Sequence, residues 1–477
     1  MDIGSIVAAA RAAQVAWARR PLAERGAIIQ DIGRRFAARG EDVARVVCEE
    51  TKKSPVDAWF ADVVPNLDLF DYWGGEGLKA IAWQKAPLSP LKFPKKEGRL
   101  VFEPKGLVGL ITPWNYPAAL TLRSLIPALV AGNAVLYKPS EHAPRTGDLL
   151  AEIFGYVLPP GLVSVVHGAA DAGRAVVSAA DHVVFIGSVA TGRKVAVQAA
   201  ERLISTSLEL GGKDAAIVLA DCEPERTAAG VFWGAMGNSG QNCAAVERCY
   251  VERAIYPDFV KRLVDLASRA AVAPVATEAQ DAVVRRHLDD ARARGATLHG
   301  QYPGAIILEG VPADALIATE ETFGPVLPVW PVDSAEDGLA RANDSRYGLT
   351  TSLWTRDLER AEALAGQAQS GVVTINNTSF TAAIPFAPWS GRRDSGTGVT
   401  SSPLAIHELV RPKFVLVDKN PDPEVWWFPF DEGAVALAKR SLDWLTAQGL
   451  GKLGKTLGVL GAMKKRVAAQ KLWQRGG

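Results

Sequence analysis

Gly240-Gln241-Asn242-Cys243 sets a thiol among small and polar residues, outside any apolar run. A reactive cysteine needs access and surroundings that favour its thiolate, whereas structural cysteines are buried and inert. Cys48, on a helical stripe with Val43, Val46 and Val47, reads as a small core residue, and so do Cys222 and Cys249, the latter just before Tyr250 and Val251. Leu208-Glu209-Leu210-Gly211-Gly212-Lys213 holds a carboxylate between two leucines, next to glycines that let the backbone pass close to a ligand. Desolvation there would raise the carboxyl group toward the range of a general base. Thr112-Pro113-Trp114-Asn115-Tyr116-Pro117 follows the apolar run Gly106 to Ile111. Its two prolines stiffen a loop that can fix the Asn115 amide for a developing oxyanion.

Two further segments could meet ribose or phosphate. Lys138-Pro139-Ser140-Glu141 puts a cation and a carboxylate at the end of the apolar run Ala134 to Tyr137, and Gly187-Ser188 joins a strand-like run to a helical segment whose amino end can face a phosphate.

Short apolar runs alternating with helical segments from Gly106 to Ile186 predict strand-helix-strand units around a parallel sheet, with ligands at strand carboxyl ends. A second alternating region covers about Ala215 to Pro385, and from Ile6 to about Lys53 apolar residues recur at helical spacing. The chain has 477 residues, 48% of them hydrophobic, enough for two or three packed domains. Its formal charge of +1 gives no global reason to bind nucleic acid. Four cysteines without a CxxC pair suit a reducing, cytoplasmic setting, and six scattered histidines supply no metal site.

In order and approximate spacing these segments, together with Glu321-Thr322-Phe323-Gly324-Pro325, resemble the aldehyde dehydrogenase superfamily over roughly Ile6 to Val417. The resemblance implies an α/β fold: a Rossmann-like cofactor domain (1–85 and 104–211), an α/β catalytic domain (212–398) and a small β bridging arm for oligomerisation (86–103 and 399–418), followed by a 419–477 extension. It implies that Cys243 attacks an aldehyde, that Asn115 and the Cys243 N–H hold the oxyanion, and that Glu209 activates the water that hydrolyses the thioester to a carboxylic acid. Thr112, Trp114, Lys138, Ser140, Glu141, Gly187, Ser188, Leu210, Glu321 and Phe323 match positions around the cofactor. A carboxylate at Glu141 accepts ribose hydroxyls and repels a 2′-phosphate, so NAD is favoured and NADP is the alternative. Ala387-Pro388-Trp389 stands where glycines are usual, at the substrate mouth. A CoA-acylating relative is argued against by Glu209, and a cofactor-independent thiol hydrolase by the lack of a histidine partner. The expected assembly is a homodimer.

The extension has no counterpart in the usual family pattern. From Lys439 onward it carries many lysines and arginines against the single acid Asp443, and Leu450, Leu453, Leu457, Leu460, Met463 and Val467 recur at helical spacing. Gly451, Gly454, Gly458 and Gly461 are expected to interrupt that helix. The favoured expectation is that its apolar stripe packs on its own domain or a second subunit. Weak contact with a membrane surface is the alternative.

Overall fold

The computed structural model describes residues 3–90 and 92–475. Met1, Asp2, Leu91, Gly476 and Gly477, which belong to the expected cofactor domain, arm and extension, lie outside the described residues. The chain divides into two compact units, Met1–Ala82 with Phe102–Pro412, and Trp83–Val101 with Lys413–Gly477.

The first unit opens with three helices, α1 (Ile3–Ala18), α2 (Leu22–Ala38) and α3 (Gly40–Thr51), whose periodic apolar residues Trp17, Ile29, Ile32 and Phe36 are fully buried. Two sheets follow. The six-stranded sheet contains β3 (Leu107–Ile111), β4 (Ala134–Lys138), β5 (Val163–Val165), β6 (His182–Ile186), β7 (Ser205–Glu209) and β15 (Gly396–Thr397), in the order β15-β7-β6-β3-β4-β5. All neighbours are parallel except β15, which pairs antiparallel with β7. β3, β4 and β6 are buried throughout, as strands covered on both faces require.

The seven-stranded sheet contains β8 (Asp214–Val218), β9 (Val246–Glu252), β10 (Thr297–His299), β11 (Ile306–Glu309), β12 (Val326–Val332), β13 (Thr350–Trp354) and β14 (Val372–Ile375), in the order β10-β11-β12-β9-β8-β13-β14. The β10-β11 pair is antiparallel and the remaining neighbours are parallel.

Gly396 and Thr397, assigned above to the end of the catalytic domain, pair with Glu209 and Leu208 of the first sheet and cover what would be its open edge. Of residues 399–418, assigned to the arm, a short helix at Ser402–Glu408 places Ile406, with Leu409 and Val410, in the first unit's apolar core.

The second unit holds most of a three-stranded sheet, β1 (Gln84–Lys85), β2 (Lys96–Pro104) and β16 (Val410–Asp418), ordered β1-β2-β16. It continues into a helical hairpin, Glu432–Thr446 and Gly449–Gln474. The second of these helices is unbroken over 26 residues, so its glycines do not interrupt it as expected. No helix among the described residues is long and apolar enough to cross a membrane.

Candidate active site

The carboxyl ends of adjacent parallel strands gather the expected site residues. Glu209 ends β7, Gly187 and Ser188 follow β6, Thr112 to Asn115 follow β3, and Lys138 ends β4 with Pro139 to Glu141 after it. Register fixes this alignment: Ile186 pairs with Glu209, and Ile111 lies opposite both Phe185 and Lys138.

Cys243 arrives from the other sheet. Helix α4 (Pro224–Met236) ends at a tight turn in which Asn238, Ser239 and Gly240 all have positive φ (49°, 58° and 70°). That left-handed turn swings the chain back, so that Cys243 precedes β9 by only a few residues. Gly240 is obligatory there: a Cβ would lie 2.0 Å from the Gly324 carbonyl oxygen. The Cys243 thiol donates to Glu209 Oε1 at 2.9 Å, and the buried Glu209 Oε2 has no hydrogen-bond partner. Burial pushes the Cys243 thiol well up from its ordinary range, and the neighbouring Glu209 carboxylate adds to the effect. The resting arrangement is therefore a protonated thiol donating to a carboxyl oxygen.

Asn115 is buried and its backbone is clamped. Lys53 Nζ donates to the Asn115 carbonyl at 2.7 Å, and Asn238 Nδ2 donates to it at 3.1 Å. Its own Nδ2 donates to the Gln241 carbonyl at 3.1 Å. One amide hydrogen is thus committed to orienting the group, which leaves the other for an oxyanion. Lys53 in turn pairs with Asp62 at 2.7 Å, both side chains fully buried, and lies 4.0 Å from the Tyr116 ring centroid. Asp62 Oδ1 accepts from the Ala118 and Ala119 N–H groups at the start of the helix Pro117–Val130, where a carboxylate suits the helix dipole.

A second buried cluster supports the Glu321 turn. Lys213 Nζ donates to Glu247 Oε2 at 2.5 Å and to Thr322 Oγ1 at 3.2 Å, while Glu247 accepts from the Thr322 and Phe323 N–H groups. Burial pushes the Lys213 ammonium below its ordinary range, and Glu247 opposes that shift. Glu321 Oε1 accepts from the Gly212 N–H at 3.0 Å, and burial, with the charge of Glu247, pushes its carboxyl up to about 8. Sequence reasoning did not find Lys53, Asp62 or Glu247. The only signal was an acid inside each of two apolar stretches, around Phe60-Ala61-Asp62-Val63 and Ala245-Val246-Glu247.

Two cavities meet at Cys243. One, about 260 Å³, is lined by Trp114, Gly187, Ser188, Glu209, Glu321 and Phe323 among others. The Trp114 and Phe323 rings meet edge to face at 5.8 Å, and Ser188 caps helix α5 (Val189–Glu201), accepting from the Thr191 N–H. This cleft fits a dinucleotide: a helix amino end for phosphate, aromatic faces for a ring, and Glu321 for hydroxyls. Gly211 keeps its floor open, since a Cβ would lie 2.2 Å from Glu321 Oε2.

Other expected cofactor residues play visible local roles. Thr112 Oγ1 is 3.1 Å from Thr121 Oγ1, the Leu210 N–H donates to the Ser395 carbonyl, and Ser140 Oγ accepts from the His142 N–H. Lys138 Nζ pairs with the exposed Glu141 at 3.1 Å. Burial raises the Glu141 carboxyl, but backbone and Lys138 hydrogen bonds outweigh it and hold the group below its ordinary value.

The other cavity, about 540 Å³, has mainly apolar walls that include Phe60, Leu69, Tyr116, Leu120 and Trp389. Arg123 also lines it, its guanidinium stacked 5.3 Å from the Trp389 ring centroid. Arg123 Nη1 and Trp389 Nε1 are both buried without a hydrogen-bond partner.

Comparison with known proteins agrees with this architecture. Residues 1–415 match the family model described as "Aldehyde dehydrogenase family". The chain is 33% identical over 452 residues to a 4,4'-diapolycopene aldehyde oxidase from Methylomonas sp, covering 91% of this chain and 85% of that protein. It is similar to the NAD+ complex structure of an aldehyde dehydrogenase from Bacillus cereus, with a TM-score of 0.83 and 31% identity over 88% of this chain and 89% of the other. It is also similar to an NADP-dependent glyceraldehyde-3-phosphate dehydrogenase from Bacillus halodurans C-125 complexed with NADP, with a TM-score of 0.82 and 29% identity over 88% and 91% of the two chains.

Proposed function

Since the chain belongs to the aldehyde dehydrogenase family and is an enzyme of NAD(P)-dependent aldehyde oxidation, we propose that Cys243 is its nucleophile, Glu209 its base and Asn115 its oxyanion donor. The observation that carries this reading is the 2.9 Å contact between the Cys243 thiol and Glu209 Oε1, at the point where the two cavities meet. Glu209 takes the thiol proton as Sγ bonds to the aldehyde carbon, and the free Asn115 N–H, with the Cys243 N–H, holds the oxygen of the thiohemiacetal. A nicotinamide dinucleotide, when bound, supplies the hydride acceptor. Once it has released the thiol proton to solvent, Glu209 removes a proton from the water that adds to the Cys243 thioester; the C–S bond then breaks, freeing the acid and the Cys243 thiolate, which is reprotonated.

Trp114, Ser188, Leu210, Glu321 and Phe323 would hold the cofactor along the smaller cleft, with Thr112, Lys138, Ser140, Glu141 and Gly187 around it. The low-lying Glu141 carboxylate supports NAD over NADP, because it stays ionised and repels a 2′-phosphate. The apolar walls of the larger cavity suit an aldehyde with an apolar body. Arg123 Nη1 and Trp389 Nε1 would donate to one acceptor on that body, because buried N–H groups without a partner are costly, while Arg123 Nη2 already donates to the Ala382 carbonyl. The second unit's β16 edge exposes Phe414, Val415, Leu416 and Val417, which supports a homodimer formed through strand addition. The cysteines are free thiols, as a reducing cytoplasm would keep them.

NADH and NADPH formation with aldehydes that carry or lack a remote carboxylate tests these roles. Cys243→Ala should lose on the order of 10⁴-fold in turnover, and Glu209→Gln should stall as acyl-enzyme after one turnover. Arg123→Met should erase any preference for the carboxylate-bearing substrates. Parent rates in the Cys243 or Glu209 variants would refute the assignment.

A further inference from the structure

The second unit ends in the hairpin of α6 (Glu432–Thr446) and α7 (Gly449–Gln474), preceded by the aromatic loop Trp426-Trp427-Phe428-Pro429-Phe430. Its shared core is small: Leu437, Trp444 and Val459 are buried, with Val425, Ala462 and Met463 packed around them. Arg466 completes it, pairing with Asp431 and donating to the Val425 carbonyl.

Met463 apart, the leucines of the α7 stripe lie outside that core. Leu450, Leu453 and Leu457 are 90%, 69% and 73% exposed, and a Cβ placed on Gly451, Gly454, Gly458 or Gly461 would meet nothing within 4 Å. Helix α6 likewise exposes Val435, Leu442 and Leu445, and the loop exposes Trp426, Trp427, Phe428 and Phe430. Of the expected stripe, Met463 packs on its own unit, whereas Leu450, Leu453 and Leu457 do not. A helix that keeps one side for its partner and leaves leucines on the other has a second apolar environment to meet.

We propose that this environment is an anionic lipid surface. From Lys439 to Arg475 the hairpin carries nine lysines and arginines against one acid, Asp443; Arg466 is buried against Asp431 and Lys471 pairs with Asp422, which leaves seven for the surface. Lys439 and Arg440 on α6, and Lys464 and Lys465 on α7, are exposed. This charge argues against a second copy as the occupant, since pairing the surface with itself would bring two positive sets together, whereas anionic headgroups neutralise them. Exposed tryptophans and phenylalanines beside such a helix suit the interfacial zone, where an amphipathic ring is half in lipid and half in water. Because neither helix is long and apolar enough to cross, the hairpin lies along the surface.

Vesicle co-sedimentation of the full chain tests the proposal, using phosphatidylcholine vesicles with and without phosphatidylserine. The chain should bind the phosphatidylserine vesicles at low salt and leave them at high salt. Lys464→Ser with Lys465→Ser should weaken binding about 25-fold, roughly fivefold for each cation removed. Leu453→Ser with Leu457→Ser should weaken it at least about tenfold for each leucine. Both double variants should oxidise aldehyde in solution at the parent rate, which reports that the first unit is intact. Absence of binding by the parent chain, or equal binding to vesicles without phosphatidylserine, would overturn the proposal. So would concentration-dependent self-association of the parent chain that the leucine variant abolishes, because the occupant would then be a second copy.

Discussion

Glycine serves two opposite purposes in the two units of this chain. Around Cys243 the glycines are places where a side chain cannot fit: a Cβ on Gly211 would meet Glu321, one on Gly212 would lie 2.3 Å from the Cys243 carbonyl oxygen, and one on Gly240 would strike the Gly324 carbonyl. In α7 all five glycines, Gly449 at its start and Gly451, Gly454, Gly458 and Gly461 within it, face open space. The first set brings backbone against backbone and carboxylate so that two sheets can present their residues to one point. The second set thins one side of an exposed helix and weakens it by about 1 kcal/mol per glycine relative to alanine. The same residue type marks close packing around Cys243 and its absence in α7.

Alanine substitutions break or sharpen this contrast. Gly240→Ala should have the largest effect, because it adds both a backbone clash and a side chain at φ 70°. A loss of about 2 kcal/mol or more is expected, read as a lowered denaturation midpoint with turnover falling in parallel. Gly211→Ala should leave the fold largely intact but displace the Glu321 carboxylate. The KM for the dinucleotide should then rise about three- to tenfold, as loss of a hydrogen bond to a largely uncharged carboxyl implies, with little change in the denaturation midpoint. Gly458→Ala should act in the opposite direction, strengthening α7 by about 1 kcal/mol and increasing hydrogen-exchange protection there while aldehyde turnover stays the same. A destabilising Gly458→Ala would mean that this face is packed, and the contrast between the two units would fail.

Much of the site was legible because it consists of short contiguous segments. Glu209 with its glycines, Asn115 between prolines and Cys243 after Gly240 each announce a local geometry, and the apolar runs before them predict the strands that end there. The supporting charges were not legible. Lys53 reaches Asn115 across 62 positions, and Lys213 reaches Glu247 across 34. A lone acid in an apolar stretch shows that something must pair with it, but not what. Strand β15 was missed for a related reason: two residues have no periodicity, and Gly396 becomes a strand only because Glu209 lies opposite.

The tail shows the limit from the other side. Its amphipathic pattern and positive charge are plain in the sequence, and so is the inference that its leucines need an apolar partner. Pattern alone favoured protein as that partner, since most such stripes are core. The sequence by itself determined which side chains are candidates for chemistry and which runs become strands and helices, because those depend on residue type and on neighbours a few positions away. Only the tertiary structure decided that Cys243 touches Glu209, that Arg123 lines the larger cavity with an unpartnered nitrogen, and that Leu450, Leu453 and Leu457 stay uncovered. Each of these depends on which distant surfaces come into contact, and burial and pairing are properties of that contact.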